Sequence, residues 1–231
     1  MKLLLLKKLH KWVALFVGLQ LLLWTISGLV FAWTDHHDVQ GHNLVTPLPA
    51  QTLEQGEELL EPLELMLRLG LESASEIRLL TVDGQWAYRI VTPTGVQLHD
   101  AGDGEQVVIT ARRAAAVAQA LYAGKGSLLA IEQHPGPTLE TRKSGPTWEA
   151  RFADDSSTSI YVSAVDGAFV AARGDSWRLF DFFWMLHTMD YVGRDDFNNP
   201  LVILAAAAAG WIALTGLLLV IRVFRPTGGS R

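Results

Sequence analysis

Two long apolar stretches without charged residues, one near each end of the chain, restrict its fold more than any other feature. Residues 13–33 (VALFVGLQLLLWTISGLVFAW) and residues 200–221 (PLVILAAAAAGWIALTGLLLVI) contain no Asp, Glu, Lys or Arg. A helix over 13–33 is roughly 31 Å long, which is about the thickness of the hydrocarbon core of a bilayer. We therefore predict two transmembrane helices. The alternative for the first stretch is a cleaved signal peptide, which its length and the lack of an A-x-A-like cleavage site disfavour.

The Lys and Arg residues around these stretches predict the orientation of the chain. Seven of them lie outside the two spans, with no Asp or Glu among them: Lys2, Lys7, Lys8, Lys11, Arg222, Arg225 and Arg231. The other 12 of the 19 Lys and Arg residues lie between the spans with all 24 Asp and Glu residues, so the central segment has a net charge of −12. The positive-inside rule therefore predicts that segments 1–12 and 222–231 are cytoplasmic and that the central segment is periplasmic, in a bacterial inner membrane. We expect membrane lipid as a partner and, with an overall charge of −5, no nucleic acid.

The central segment has the pattern of an α+β domain with an internal repeat. In residues 34–109, a helical pattern over 53–69 contains Pro62, which is either a break or a helix start. The strands predicted after it are 76–82, 86–91 and 96–99. In residues 110–175, a helix over 110–122 with Thr110 as its N-cap precedes the next strands. These are 128–133, 148–152, 159–162 and 168–173. The unit helix–strand–strand–strand is therefore predicted twice.

Residues 176–199 join this domain to the second apolar stretch. Within them, residues 176–192 (SWRLFDFFWMLHTMDYV) are rich in aromatic residues and amphipathic. We predict an interfacial segment, either a helix that lies in the membrane interface or one that closes the domain onto the membrane. The same segment contains His187.

Three parts of the sequence resemble the PepSY-associated transmembrane proteins. Residues 9–33 begin with Leu9-His10 and contain Ser27-Gly28 near the outer end of the predicted helix. Residues 185–226 repeat this with Leu186-His187, a glycine-containing loop and Thr215-Gly216. Between them, residues 161–173 (YVSAVDGAFVAAR) resemble the end of a PepSY module, with a strand, an Asp-Gly turn and a strand.

The resemblance implies a membrane protein of class α+β, with two transmembrane helices flanking a periplasmic domain of two PepSY-like helix–antiparallel-sheet repeats. Larger members of the family, with more spans, resemble ferric-siderophore reductases. A two-span chain would hold haem as a homodimer or as a subunit of a membrane complex. Some PepSY modules are instead associated with the inhibition or regulation of peptidases, which implies a periplasmic protein partner.

Histidines are the strongest candidate ligands, because the chain has no cysteine and therefore no thiolate metal site or attached c-type haem. His10 lies at the start of the first predicted helix and His187 lies before the second, and both match the family pattern. Each imidazole is a candidate axial ligand of haem b. The alternative for His10 is a solvated side chain among interfacial lysines.

His36 and His37, in the sequence TDHHD, follow the outer end of the first span. With His187 they form a candidate outer cluster, either for bis-histidine haem or for a divalent metal bound by His36, His37 and His187. Asp35, Asp38 and His42 are further candidate metal ligands, and the alternative is a plain hydrophilic linker. His10 and His36 are roughly 39 Å apart along a helix, so they cannot share one haem. An inner haem would then take its second ligand from a second chain. His99 and His134 are predicted to be surface or strand-edge residues.

Three functions remain open from the sequence. The first is a haem-b subunit of a transmembrane electron-transfer or ferric-reductase system, an oxidoreductase in which the haem performs the chemistry, so no side chain is assigned as catalytic. The second is a non-catalytic, membrane-anchored module that binds a periplasmic redox or peptidase partner. The third is a periplasmic metal sensor or chaperone built on TDHHD. No nicotinamide or flavin motif is present, so a complete reductase in one chain is disfavoured.

Overall fold

The computed structural model describes residues 2–49, 51–54, 56–142 and 144–224. Most of the predicted cytoplasmic tail at 222–231, including Arg225 and Arg231, therefore lies outside the described residues. The chain divides into two compact units. The helical unit contains Met1–Thr34 and Leu179–Arg231, and the central unit contains Asp35–Arg178.

Two long helices form most of the helical unit. Helix α1 is Lys2–Trp33 and the last helix, α6, is Pro200–Phe224. Both are long and apolar enough to cross a membrane, over Lys7–Trp33 and Pro200–Phe224. Only 11% and 6% of their most apolar windows are buried within the protein, so their apolar faces are open to lipid. Helix α6 begins where Asn199 caps it, because the Asn199 side-chain oxygen accepts hydrogen bonds from the backbone N–H groups of Leu201 and Val202.

The first repeat of the central unit follows helix α2 (His36–Val39) and a short 3₁₀ turn at His42–Leu44. It consists of helix α3 (Pro62–Arg68) and strands β1 (Glu76–Val82), β2 (Gln85–Thr92) and β3 (Gly95–Asp100). The three strands form an antiparallel sheet in the order β1-β2-β3.

The helix predicted over residues 53–69 is much shorter in the structure, and that prediction was wrong in its first half. Helix α3 begins at Pro62, and Glu61 before it is extended, with φ −64° and ψ 136°. Proline favours the first turn of a helix, since it has no N–H to leave unpaired, and it disfavours a helical conformation in the residue before it. Pro62 is therefore a helix start and not a break within a longer helix.

The second repeat consists of helix α4 (Ala111–Leu121) and a four-stranded sheet. Its strands are β4 (Leu128–His134), β5 (Thr147–Phe152), β6 (Ser159–Ser163) and β7 (Phe169–Arg173), in the antiparallel order β4-β5-β6-β7. Thr110 is the N-cap of α4, as predicted, and its hydroxyl accepts a hydrogen bond from the Arg113 N–H. The first repeat has the predicted order of one helix and three strands. The second has all four of the strands predicted for it, which is one more than the repeat unit of one helix and three strands.

Both faces of the first sheet are buried, which joins the two repeats. Tyr88 and Ile90 on one face of β2 pack against Leu65 of α3. Ala87, on the opposite face because side chains alternate along a strand, joins a core that includes α4 and the second sheet. The Arg89 guanidinium, on the Ala87 face, also forms a 2.7 Å ion pair with Asp166 in the β6–β7 turn.

The predicted interfacial segment is partly helical. Helix α5 is Asp175–Thr188, and the boundary between the two units falls within it, after Arg178. Residues 189–199 form an ordered loop before α6. Within the helical unit, α5 does not stand free, because the Phe180 ring lies 4.7 Å from the Phe31 ring of α1.

Candidate functional site

His10 and α6 meet at one end of the helical unit. The His10 Nδ1 lies 2.8 Å from the Thr215 hydroxyl oxygen, which is a hydrogen bond between α1 and α6. The His10 ring is 6.4 Å from the Trp211 ring, centroid to centroid. Next to Thr215 is Gly216, where an added Cβ would lie 3.5 Å from the His10 Cε1. The histidine is therefore held by α6 and is not a solvated side chain among lysines.

His187 forms a similar site with the other half of α1. It lies in the last turn of α5, and its Nδ1 is 2.7 Å from the Ser27 hydroxyl oxygen. Its backbone carbonyl accepts a 2.8 Å hydrogen bond from the Trp24 indole N–H. The rings of Trp24 and Phe31 flank its imidazole at 6.3 and 5.4 Å. Burial lowers the pKa of His187 below the usual value for histidine, so the neutral ring predominates at neutral pH.

The two sites repeat one arrangement. Each combines a Leu-His pair, a hydroxyl followed by glycine on a different helix, and a tryptophan one turn before that hydroxyl. Helix α1 supplies the histidine at one site and the hydroxyl at the other. His10 and Ser27 are roughly 25 Å apart along α1, so the two sites lie at opposite ends of the helical unit.

An apolar groove lies beside His187. Its volume is about 450 Å³, within the size range of ordinary ligand sites. It is lined by Trp24, Trp184, His187, Thr188, Phe197 and Val202. The flat indole walls and the scarcity of polar atoms fit the face of a porphyrin, and His187 would be the nitrogen ligand in this wall.

A second groove lies near the His10 end of the helical unit, but His10 is not among its lining residues. It has a volume of about 380 Å³ and is lined by Lys7, Leu219, Arg222 and Val223. Lys7 is one turn before His10, and Leu219 is one turn after Thr215. Two cations at the edge of an apolar groove fit the carboxylates of a haem, whose ring needs apolar walls.

The loop after α5 is held by hydrogen bonds and an ion pair, and its residue Phe197 lines the His187 groove. The Arg194 guanidinium forms an ion pair with Asp181, a buried residue of α5. The Arg194 carbonyl accepts a 3.0 Å hydrogen bond from the Trp184 indole N–H, which orients one groove wall.

The Asp190 carboxylate accepts hydrogen bonds from four backbone N–H groups, those of Val192, Gly193, Asp195 and Asp196. These bonds, that of Asp196 above all, lower the pKa of Asp190.

His36 and His37 lie in the central unit, on α2, whereas His187 lies in the helical unit. The His36 Nε2 is 2.7 Å from the Gln40 side-chain nitrogen, and the His37 ring packs edge-on against His42 at 4.9 Å. Asp35 caps α2, because its carboxylate accepts the backbone N–H of His37. Among the described residues no three His, Asp or Glu side chains converge into a metal-binding group. His37 and His42 are thus brought together, and the metal site with His36, His37 and His187 stays a prediction.

The two histidines of the sheets have structural partners. His99 lies on edge strand β3, which confirms the strand-edge alternative of its prediction, and its side chain is buried, at 6% exposed. Its Nδ1 and Nε2 contact the Gly104 carbonyl and the Gln97 side-chain oxygen at 3.0 and 3.2 Å. His134 lies on edge strand β4, and its Nε2 is 2.9 Å from a Glu149 carboxylate oxygen.

The sequence singled out both Leu-His pairs and both hydroxyl-glycine pairs, but only as separate family features. It did not reveal which hydroxyl faces which histidine, because this depends on how α1, α5 and α6 pack.

Comparison with known proteins supplies the family. A family model described as the PepSY-associated TM region matches residues 7–231. No curated protein and no solved structure matches the chain significantly. The family match runs from the start of the first apolar helix, through both helix–sheet repeats and both histidine–hydroxyl sites, to the end of the chain. The chain therefore belongs to the family of the PepSY-associated TM region and is a membrane protein with a PepSY module.

Proposed function

We propose that this protein is a haem-b-binding subunit of a transmembrane electron-transfer or iron-reductase system. The observation that carries the proposal is the repeated histidine–hydroxyl site. Each imidazole binds a hydroxyl through Nδ1 and turns its Nε2 away from that partner. An imidazole held in this way by a second residue is the usual form of a metal-ligating histidine.

His10 and His187 are the proposed axial ligands, one at each end of the helical unit. When bound, haem b supplies reversible one-electron transfer through its iron. The side chains of Trp24, Trp184 and Phe197 would exclude water from the His187 groove. Lys7 and Arg222, which line a groove near His10 that His10 itself does not line, would bind the anionic edge of the ring. His36 and His37 are proposed as alternative outer ligands.

The proposal includes an orientation and an oligomeric state. The seven basic residues outside the spans support cytoplasmic termini and a periplasmic central unit in a bacterial inner membrane. Among the described residues, His10 is the one histidine at its end of the helical unit. A second axial ligand there would come from His10 of a second copy or from another subunit of a membrane complex.

The test is the optical spectrum of the detergent-purified full chain, expressed with haem supplied, before and after reduction. We expect a sharp reduced α-band of the b type. His10→Ala and His187→Ala should each remove about half of the haem if each site holds one. His42→Ala is the matched control and should retain all of it. A featureless spectrum from a well-folded sample would overturn the proposal, and so would full haem content in both variants.

His36→Ala and His37→Ala separate the two versions of the outer site. If His187 binds haem without them, both variants keep the haem of wild type. Loss of haem in either would assign it as the second outer ligand. Binding of Zn²⁺ by the haem-free chain, lost in the same variants, would instead support the metal site of His36, His37 and His187.

A second candidate function is a membrane-anchored module that binds a periplasmic redox or peptidase partner. It is favoured by a polar groove of about 590 Å³ on the second sheet. Its lining includes Glu149, Arg151, Asp154, Asp155 and Arg178. Burial alone raises the pKa of Glu149, but hydrogen bonds from His134 and Ser159 outweigh it and lower the pKa, so this wall stays anionic. A photo-crosslinker at Arg151 should then capture one partner in intact cells, and Asp155→Arg should abolish the capture.

A further inference from the structure

We infer that Ser27 and Thr215 are positioning residues, each of which fixes the proton of its partner histidine on Nδ1 and leaves Nε2 as a bare lone pair that can bind a metal. His187 is positioned by Ser27, and His10 by Thr215. The inference deepens the proposed function, because it explains how both rings would be prepared for a metal centre. The arrangement itself is a property of the chain without haem.

The first step is where the hydroxyl hydrogens point. The Ser27 hydroxyl oxygen lies 2.8 Å from the Leu23 carbonyl oxygen and 3.0 Å from that of Trp24. The Thr215 hydroxyl oxygen lies 2.8 Å from the Trp211 carbonyl oxygen and 3.2 Å from that of Ile212. A hydroxyl within an apolar helix donates to the carbonyl one turn before it, because no water competes there. Each hydroxyl therefore uses its hydrogen on its own helix.

The second step follows from the count of hydrogens. A hydroxyl has one hydrogen and two acceptor lone pairs. Since the hydrogen is committed to the carbonyl, the oxygen can only accept from the imidazole, at 2.7 Å in the Ser27 pair and 2.8 Å in the Thr215 pair. The imidazole must then carry its proton on Nδ1. In a neutral ring the other nitrogen, Nε2, has no proton.

The third step is that Nε2 is not used by the protein. Within the described part of the chain, no hydrogen bond reaches the Nε2 atom of His10 or His187. Ser27 is 0% exposed and Thr215 is 6% exposed, so water does not replace either histidine as the partner of the hydroxyl. Each ring is thus held at one nitrogen and open at the other.

The choice of a hydroxyl also matters for the electronics of a bound metal. A carboxylate partner would attract the Nδ1 proton strongly and make the imidazole a more basic ligand. A hydroxyl orients the ring without adding charge, which a membrane interior tolerates better. Both sites use the neutral partner, so both metal centres would keep a higher reduction potential than with a carboxylate.

The tautomer can be measured directly by NMR on the haem-free full chain in detergent, with ¹⁵N-labelled histidine at alkaline pH, where imidazole rings are neutral. Free histidine prefers the Nε2–H form. We expect Nδ1–H signals from His10 and His187. Ser27→Ala should convert His187 to a mixture with Nε2–H and leave His10 unchanged, and Thr215→Ala should do the reverse. Each variant is therefore the control for the other.

Conservative variants keep the test decisive if an alanine variant unfolds. Thr215→Ser and Ser27→Thr retain the hydroxyl and should retain the Nδ1–H form. Nε2–H signals from both histidines of the wild type would overturn the inference, and so would unchanged tautomers in both alanine variants. The tautomers are measured without haem. A wrong inference about Ser27 and Thr215 can therefore be distinguished from a wrong proposal about haem binding.

The haem-loaded protein gives a second readout. If it binds haem, Ser27→Asp should shift the reduction potential of the His187 site downwards, because the carboxylate strengthens the ligand. Ser27→Ala should broaden the spectral band, since the ring is no longer oriented. If Ser27 only stabilises the helix packing, Ser27→Asp should lower the stability of the protein and leave the reduction potential of the His187 site unchanged.

Discussion

The helical unit and the central unit hold their histidine rings with different partners. In the central unit, His99 contacts an oxygen atom with each ring nitrogen, and His134 contacts the Glu149 carboxylate through Nε2. In the helical unit, His10 and His187 contact a hydroxyl through Nδ1, and among the described residues no hydrogen bond reaches their Nε2 atoms. All four rings have partners, so the presence of a partner does not identify a ligand. The helical unit differs in that both of its rings have an uncharged hydroxyl as the partner of Nδ1.

The two units also differ in what stabilises them. The central unit has two apolar cores, and burial of their side chains away from water stabilises it. The spans of the helical unit have apolar surfaces that are almost wholly uncovered. In lipid, apolar contact between helices gains little, because lipid tails are as apolar as leucine. The polar contacts of Trp24, Ser27 and Thr215 therefore contribute a larger share of the specificity of that unit.

The largest expected effect tests the predicted topology, in which Lys125 of the central segment and Lys8 before the first span lie on different sides of the membrane. The chain has no cysteine, so a single introduced cysteine reports its own position. Lys125→Cys in the central unit should react completely with a membrane-impermeant maleimide in intact spheroplasts. Lys8→Cys should react only after the membrane is permeabilised. Equal labelling of both in intact spheroplasts would contradict cytoplasmic termini with a periplasmic central unit.

The next largest effect tests the core of the central unit. Ile160 of β6 is 0% exposed, and Ile160→Ala should lower the free energy of unfolding by about 2–5 kcal/mol, because it leaves a cavity. Urea unfolding of the full chain in detergent, followed by tryptophan fluorescence, measures it. Leu129→Ala is the control, since Leu129 is 67% exposed and its removal should cost little. Equal losses in the two variants would show that the core does not dominate stability.

An intermediate effect tests the ion pair that joins the two repeats. Burial alone raises the pKa of Asp166, but hydrogen bonds from Ser163 and Arg89 outweigh it and lower the pKa overall. A lowered folded-state pKa stabilises the fold above the unfolded-state value of about 4, and this contribution is lost as the pH falls through the folded-state pKa. Asp166→Asn should therefore lower the free energy of unfolding by about 1–3 kcal/mol at neutral pH and by less at acid pH.

The same unfolding measurement, repeated from neutral to acid pH, checks this prediction. Asp155→Asn is the matched control, because Asp155 is exposed on the same repeat. A cost for Asp166→Asn that does not change with pH would show that the charge of Asp166 contributes nothing. The loss would then belong to its hydrogen bonds alone.

The sequence predicted much of the fold because its strongest signals are local. The two uncharged stretches lie within helices α1 and α6, and Thr110 is the N-cap of α4, as predicted. The prediction of a helix over 53–69 was wrong in its first half. It followed the hydrophobic periodicity, whereas Pro62 disfavours a helical conformation in the residue before it. The burial of His99 was missed because residues after β3 cover that edge strand, through a bridge to Gln106.

The candidate site was predictable only in part. His10 and His187 were chosen from the family pattern, and the structure gives each a precise environment. The pairing of His187 with Ser27 is a contact over 160 residues, and no local periodicity specifies a contact of that range. In the sequence, Ser27-Gly28 and Thr215-Gly216 are recognisable only as features of the family pattern, whereas in the structure their hydroxyls form hydrogen bonds with the two histidines.

The smallest expected effect measures how strongly a single polar contact holds the helical unit. The Trp24 indole N–H donates to the His187 carbonyl at 2.8 Å, and Trp24→Phe removes that bond while it keeps an aromatic ring. Hydrogen bonds between helices in membranes contribute about 0.6 kcal/mol on average, so we expect a loss of this size in reversible unfolding from mixed micelles. Trp33→Phe is the control, because Trp33 is 85% exposed and makes no such bond among the described residues. A loss as large as that of Ile160→Ala would mean that polar contacts stabilise the helical unit as strongly as the apolar core stabilises the central unit, and the contrast between the two units would no longer hold.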